Sequence, residues 1–225
     1  GNIKIIQNIS YIHKSIYFVN IEQMSKESYY VLLRELPSNI KIIDYSEENI
    51  PYLKDFYKTY LFTPYYKFQK DITINDKNID ILSITNNDYR RNIFDTIESK
   101  TEQNNYNVVS IDDCYGDERN EYFNKTKIYL NIHCSKEHRT MELIRIINLI
   151  MRKVIVVSQS SVFPELLFLK KYIFVCSDDK YLPEFINEIM KNYENYFSIL
   201  YDANNFNENS YIEYIKQNLN LFIDS

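Results

Sequence analysis

Four short polar segments hold the residue types that could do chemistry. In Thr85-Asn86-Asn87-Asp88-Tyr89-Arg90-Arg91 a polar loop runs into two arginines. Loop amides, a helix start and guanidinium groups can together hold a phosphate. The plainer alternative is two solvated arginines on a surface helix. In Asp112-Asp113-Cys114-Tyr115-Gly116-Asp117-Glu118-Arg119, Gly116 is one of only two glycines in the chain. A required positive φ would account for it, and an ordinary turn and helix cap for the rest. Asp112 and Asp113 alone make no cation site, because no third ligand falls at a suitable spacing. His133-Cys134-Ser135-Lys136-Glu137-His138 offers two imidazoles. A segment that follows a strand need not bring both to one zinc ion, so His133 is read as a hydrogen-bond donor to a ligand, within a polar loop. Glu142 and Arg145 stand three residues apart and share a face if the segment is helical. The plain reading of such a pair is a surface ion pair of little energetic worth.

The elements that must position these residues follow from hydrophobic periodicity. Short runs rich in β-branched residues predict strands over 3–6, 15–19, 40–44, 59–62, 79–84, 107–111, 128–132, 154–157 and 172–175. Amphipathic stretches predict helices over 26–36, 47–57, 87–102, 118–125, 139–151, 181–196 and 207–223. Ser46, Asp88 and the run Ser177-Asp178-Asp179 supply caps before three of the helices. Strands alternating with helices predict an α/β protein with parallel, doubly wound sheets. Ligands of such sheets sit beyond the carboxyl ends of the strands, where the polar segments after the strands fall. The polar stretch 67–77 separates two β/α units from about five further strands. The expected organisation is an N-terminal lobe over 1–77 and a C-terminal lobe over 78–225, with the last helix packing back on the first lobe.

Composition narrows the function classes. The chain has 225 residues, room for one large domain or two small ones. With 45% hydrophobic and 25% charged residues it is globular rather than disordered. A net charge of -5 argues against a dedicated nucleic-acid binder, yet leaves room for a small anion held by local arginines. No apolar run approaches the roughly 20 residues of a membrane span; the longest, 143–157, is interrupted by Arg145, Asn148, Arg152 and Lys153. No signal-peptide pattern opens the chain, so a soluble cytoplasmic protein is expected. Three widely spaced cysteines fit buried thiols better than a disulfide framework or a zinc ribbon. Two glycines exclude both a GxGxxG fingerprint and a Walker A loop. The abundance of Ile, Asn, Lys and Tyr reads as the codon bias of an AT-rich genome.

Eight blocks then carry a family resemblance. Asn20-Ile21-Glu22-Gln23-Met24 resembles N-x-E-Q-(L/M), and Asp44-Tyr45-Ser46-Glu47-Glu48-Asn49 resembles D-Y-S-x-x-N. Phe62-Thr63-Pro64-Tyr65 resembles a strand end ending in P-Y. The run from Ile84 to Arg91 is similar to a shortened F-x-G-S-x-S-x-R-R. Gly116-Asp117-Glu118-Arg119 resembles G-x-x-R-D, and the run from Lys127 to His133 resembles S-K-(I/V)-x-L-N-I-H. The run from Glu142 to Ile146 resembles E-x-x-R-I, and Val156-Val157-Ser158 the start of V-V-S-E. In this order they resemble small GT-B-fold glycosyltransferases of giant DNA viruses and bacterial surface-polysaccharide loci. The pattern departs at Thr85-Asn86, where Gly-Ser is expected, at Gln159, where an acid is expected, and at Asn120, where Asp is expected.

The resemblance implies two Rossmann-like lobes, the N-terminal one minimal, and metal-independent transfer of a sugar from a UDP- or GDP-sugar to a glycan or other acceptor. Arg145 and Glu142 would be the catalytic pair, with Arg145 stabilising the leaving diphosphate and Glu142 orienting it or holding a sugar hydroxyl. Thr85, Asn86, Arg90, Arg91, Gly116, Arg119, Asn131, His133, Ser158 and Gln159 would line the donor site. Glu22, Gln23 and Tyr45 would lie on the acceptor side. No cofactor or metal would be required, because arginines and helix dipoles bear the charge. The competing class is a GT-B-like module that binds a nucleotide sugar or a partner protein without turnover. A weaker third class is a two-lobed hydrolase or epimerase, and no nucleophile elbow supports a hydrolase.

Overall fold

The computed structural model describes residues 16–20, 36–37, 39–46, 49–136, 141–161, 167–202, 206 and 208–223. It divides into two compact units, Gly1–Tyr65 with Ser210–Ser225, and Tyr66–Asn209. The break thus falls after Tyr65 rather than after residue 77. The reason is how the polar stretch 66–77 is anchored. The Gln69 N–H donates to Met151 O at 2.8 Å. The Lys77 amine donates to Arg152 O at 2.8 Å, and the Lys153 amine to Lys70 O and Ile72 O at 2.8 and 2.7 Å. Phe68 stacks on Phe206 with ring centroids 3.9 Å apart. These bonds use backbone carbonyls and lysine amines, which leave no hydrophobic period to read.

In the first unit, β1 (Ile16–Asn20), β2 (Ile40–Asp44) and β3 (Lys58–Leu61) form a parallel sheet in that order. Alternation in β2 turns Ile40 and Ile42 to one face, where they pack with Leu36, Leu53 and Tyr57. The helix expected over 47–57 is only α1 (Ile50–Leu53) among the described residues. It closes with the Phe56 and Tyr57 N–H groups both on Leu53 O. Tyr57 then turns into the core and donates its hydroxyl to Leu36 O at 2.8 Å. Asp44, at the carboxyl end of β2, is buried and accepts from the Ser46 N–H at 2.8 Å and from the Asn49 amide at 3.0 Å. Within the same unit Tyr211 stacks on Tyr65 at 6.2 Å and donates its hydroxyl to Pro64 O. The expected strand over 3–6 and residues 26–35 of the expected helix lie outside the described residues.

The second unit is a five-stranded, all-parallel sheet. Its strands are β4 (Ile79–Ile84), β5 (Val108–Ile111), β6 (Thr126–Asn131), β7 (Ile155–Ser158) and β8 (Ile173–Val175). Their spatial order is β5-β4-β6-β7-β8. Ile81, Leu82, Ile128, Leu130 and the Ile155-Val156-Val157 run are inaccessible to solvent, as expected of strands covered on both faces. The crossover helices are α2 (Asp88–Thr101), α3 (Gly116–Lys125), α4 (Leu143–Met151) and α5 (Leu167–Lys170). After β8 come α6 (Leu182–Lys191) and α7 (Tyr193–Tyr201), and then α8 (Glu208–Ile223), which from Ser210 onward belongs to the first unit.

The helix expected over 181–196 is therefore two. The Asn192 side chain donates to Glu188 O at 3.1 Å, taking the carbonyl that its own backbone N–H would use in a continuous helix. Its N–H bonds Ile189 O and Met190 O instead. The cap of α2 is Asn87 rather than Asp88, its side-chain oxygen accepting the Arg90 N–H at 2.9 Å. No described helix is long and apolar enough to cross a membrane. The strand order places a topological switch between β4 and β6, because the chain leaves β4 in one direction and returns to β6 on the other side. Loops diverge there and leave a crevice at the carboxyl ends of the two strands.

Candidate functional site

The switch point is where the polar segments converge. From β4 the loop Thr85-Asn86-Asn87 enters α2, and from β6 the chain runs through Ile132, His133 and Cys134. Asn87 joins the two, accepting from Arg90 N with its oxygen and donating from its amide nitrogen to Cys134 O at 3.3 Å. Arg90 is 3% exposed and engages every nitrogen of its guanidinium. Its Nε donates to Ile132 O at 2.9 Å, one terminal nitrogen to Asn86 Oδ1 at 2.6 Å, and the other to Glu142 Oε1. The solvated-arginine alternative thus fails for Arg90 and holds for Arg91. Arg91 is half exposed, 3.3 Å from Thr85 O and 3.6 Å from Asp112.

Glu142 lies between two cations. Its Oε2 is 2.5 Å from the Arg145 guanidinium, and Oε1 meets Arg90. Arg145 also donates to the Tyr129 hydroxyl at 3.1 Å. Burial opposes ionisation of Glu142, yet Arg145 and Arg90 outweigh it and hold its carboxyl below the usual range. Burial likewise opposes the charge on Arg145, and Tyr129 and Glu142 more than offset it. The pair predicted from spacing is therefore part of a half-buried, three-membered network at the head of α4, with buried Arg90 as its third member, rather than an isolated surface ion pair. Tyr129 passes the alignment on, since its ring meets Phe123 edge-on at 5.9 Å and Arg119 lies 5.7 Å over Phe123. The Nε of Arg119 is buried without a partner.

A second network starts at His133. Its backbone N–H donates to Gln159 Oε1 at 2.8 Å. Its Nε2 stands 3.2 Å from Ser160 O and 3.0 Å from the Ser161 hydroxyl. A carbonyl can only accept, so Nε2 carries the proton. Burial pushes the imidazole pKa down, against the pull of Ser160 O, Glu142 and Asp179, and the ring is neutral at pH 7. Gln159 donates from Nε2 to Asp179 Oδ2 at 2.6 Å, and Asn131 donates to Ser158 Oγ at 3.0 Å. Asn131 and Ser158 are register partners at the ends of β6 and β7, both buried.

The remaining predicted residues are dispersed. Thr85 is buried, with its N–H on Ile111 O at 3.1 Å and its hydroxyl unpartnered. Gly116 opens α3 at φ +59°, the left-handed region that favours glycine. Tyr45 is buried, and Glu22 and Gln23 lie outside the described residues. Asn120, where the motif has Asp, accepts from the Asn148 amide at 3.0 Å and ties α3 to α4. Sequence reasoning missed Asn87, Tyr129, Ser161 and Asp179. Asn87 and Asp179 carried a signal only as helix-cap residue types, and Tyr129 and Ser161 carried none. Among the described residues no three His, Cys, Asp or Glu side chains come together as a metal cluster.

Comparison with known proteins places this arrangement. No family model matches the chain. It is similar to WaaG, a glycosyltransferase involved in lipopolysaccharide biosynthesis, with a TM-score of 0.50 and 9% identity over 84% of this chain and 70% of WaaG. It is also similar to the pneumococcal O-GlcNAc transferase GtfA, solved with UDP and GlcNAc. There the TM-score is 0.45 and identity 7%, over 81% of this chain and 42% of GtfA. The fold is thus that of the GT-B glycosyltransferases, with parallel sheets in Rossmann-like lobes. In sequence it is 31% identical over 218 residues to "Uncharacterized protein R358" of Acanthamoeba polyphaga mimivirus, covering 91% of this chain and 74% of that one. The chain belongs to the family of that mimivirus protein, built on a GT-B-like fold.

Proposed function

We propose that the chain is a glycosyltransferase that moves a sugar from a UDP- or GDP-sugar to a glycan or other acceptor without a metal ion. The observation that carries this reading is the position of Glu142, clamped between Arg90 and Arg145 at the switch point of a parallel sheet. Departure of a nucleoside diphosphate builds negative charge, and catalysis requires that this charge be held better in the transition state than in the donor. Arg145 is fixed for that task. Tyr129 and Glu142 hold its guanidinium on two sides, so little reorganisation is needed when the charge develops. The N-terminus of α2 and the Arg119 guanidinium are further cationic contributors. Arg90 acts indirectly, by locking Asn86, Ile132 and Glu142 together. The acceptor side is assigned to the first unit, near Tyr45.

A thermal-shift panel with UDP, GDP and their common sugars, with and without Mg²⁺, tests the donor site. A ligand at 100 times its Kd adds about 2.7 kcal/mol, a shift of roughly 5 to 10 °C for a chain of this size. Turnover assays on the nucleotide that binds then test transfer. Arg145→Ala is expected to lower kcat/KM at least about tenfold, roughly 1.4 kcal/mol of barrier. An unchanged value removes Arg145 from the site.

A second reading, a binding module without turnover, is favoured by one observation. Arg90 and Gln159 spend their polar atoms inside the protein rather than toward a ligand. Nucleotide binding with neither transfer nor donor hydrolysis selects it.

A further inference from the structure

We infer that Asp179 is a positioning residue of the candidate donor site, acting through the buried amide of Gln159 to hold His133. The inference rests on the donor-site reading above for its functional meaning, but its geometry is independent of that reading.

Gln159 is 2% exposed and sits at the carboxyl end of β7, with its N–H on Asn131 O at 3.3 Å. The two ends of its amide are not interchangeable, since Oε1 only accepts and Nε2 only donates. Oε1 takes the His133 N–H at 2.8 Å, and Nε2 gives to Asp179 Oδ2 at 2.6 Å. Rotating the amide by half a turn would set donor against donor at His133 and oxygen against carboxylate at Asp179. Only one orientation is satisfied, and Asp179 selects it. A glutamate at this position could still accept from His133, but would bring a second carboxylate against Asp179, which disfavours keeping both ionised.

The turn that carries Asp179 is braced on its own. Asp178 accepts the Lys180 N–H at 3.1 Å and pairs with the Lys180 amine at 2.8 Å. Lys180 is thus engaged by Asp178, and the Asp179 carboxylate reaches inward to the Gln159 amide. The strap it holds includes both anchors of His133, because the ring nitrogen bonds Ser160 and Ser161, the residues directly after Gln159. A displaced Gln159 loosens the backbone anchor and the ring anchor at once. Glu142 and Arg90, the other charges near the imidazole, belong to the neighbouring network.

Nitrogen-15 NMR of the His133 ring and backbone amide, with circular dichroism as a fold control, reads this directly; the chain has only three histidines. Four variants are compared: Asp179→Ala, Asp179→Asn, Gln159→Glu and the double Gln159→Glu with Asp179→Asn. Asp179→Ala and Gln159→Glu are each expected to move the His133 signals. Each also weakens UDP or GDP binding about tenfold or more. Asp179→Asn keeps an acceptor for Nε2 and stays near wild type. The double variant restores a complementary pair, with the introduced carboxylate accepting and the introduced amide donating, and recovers both readouts. Two results overturn the inference. One is Asp179→Ala with wild-type signals and affinity. The other is a folded double variant no better than Gln159→Glu alone. If wild type binds neither UDP nor GDP, the donor-site reading falls, and the His133 signals still decide whether Asp179 positions the strap.

Discussion

Replacing Lys77 by methionine should flatten the pH dependence of stability between about pH 7 and pH 10. Lys77 is 5% exposed, and its amine donates to Arg152 O at 2.8 Å. Burial pulls its pKa from 10.5 down to about 7; Asp76 opposes this, and Lys153 and Arg152 add to it. Below pH 7 both states hold the proton, and the fold carries the full cost of a buried ammonium. Between pH 7 and 10.5 the unfolded chain keeps the proton and the folded chain has released it. Stability therefore rises with pH by about 1.4 kcal/mol per unit in that window. From pH 7.5 to 9.5 the gain is about 3 kcal/mol at most. Lys153, whose pKa burial also lowers, adds a slope of the same sign to wild type and variant alike. The buried Tyr172, Tyr193 and Tyr201 stay neutral in the fold, so they reduce stability only above about pH 10, where the unfolded chain ionises. Urea melts of both proteins at half-unit steps from pH 6.5 to 9.5 isolate Lys77 as the difference. A difference constant to within about 0.5 kcal/mol across that range would refute the reasoning, because Lys77 would then titrate alike in both states.

Three further outcomes are expected. Gly116→Ala meets nothing within 4 Å, so its cost is the strain of φ +59° alone, about 1 kcal/mol; calorimetry should show a midpoint about 2 to 4 °C lower, and an unchanged midpoint would mean that the turn relaxes freely. Asn87→Ala removes the α2 cap and the link to Cys134, a loss of about 1 kcal/mol or more; hydrogen exchange at the Arg90 and Arg91 amides should speed up, and protection equal to wild type would show the cap to be idle. Glu142 has a lowered pKa, so it contributes stability above its ordinary value that is lost as pH falls through the folded value. Glu142→Gln should accordingly be less stable than wild type at pH 7 and lose less as the pH is taken from 5 down well below 4.5, and parallel acid melts of the two proteins would contradict this.

The sheet of the second unit was legible because its strands are continuous in β-branched residues, and that pattern does not depend on distant partners. The ends of elements were less so. Asn192 breaks a helix through its own side chain, in a stretch whose apolar period runs straight past it. At the site, Glu142 and Arg145 could be paired from their spacing, but the second cation on Glu142, Arg90, comes from 52 positions away. Asp179 was legible only as part of a capping run, and its contact with Gln159 was not. Its partner Gln159 is 20 residues distant, and the motif directs attention to an acid at 159 rather than to the amide found there. The Tyr65–Tyr66 boundary was obscured because lysine amines on carbonyls leave no compositional mark.

That every described ladder in both sheets is parallel also bears on how the chain reaches this state. A parallel pair cannot be closed by a tight hairpin. The shortest pairings, Lys41 with Lys58 and Val156 with Ile173, already span 17 residues, and Ile79 with Thr126 spans 47. Chain entropy must be spent on each closure before its contacts form, which places the chain among slow folders, in the millisecond-to-second range. During that interval the Ile155-Val156-Val157 run and its neighbours are uncovered. Refolding is expected to be limited by aggregation at high protein concentration and to improve on dilution.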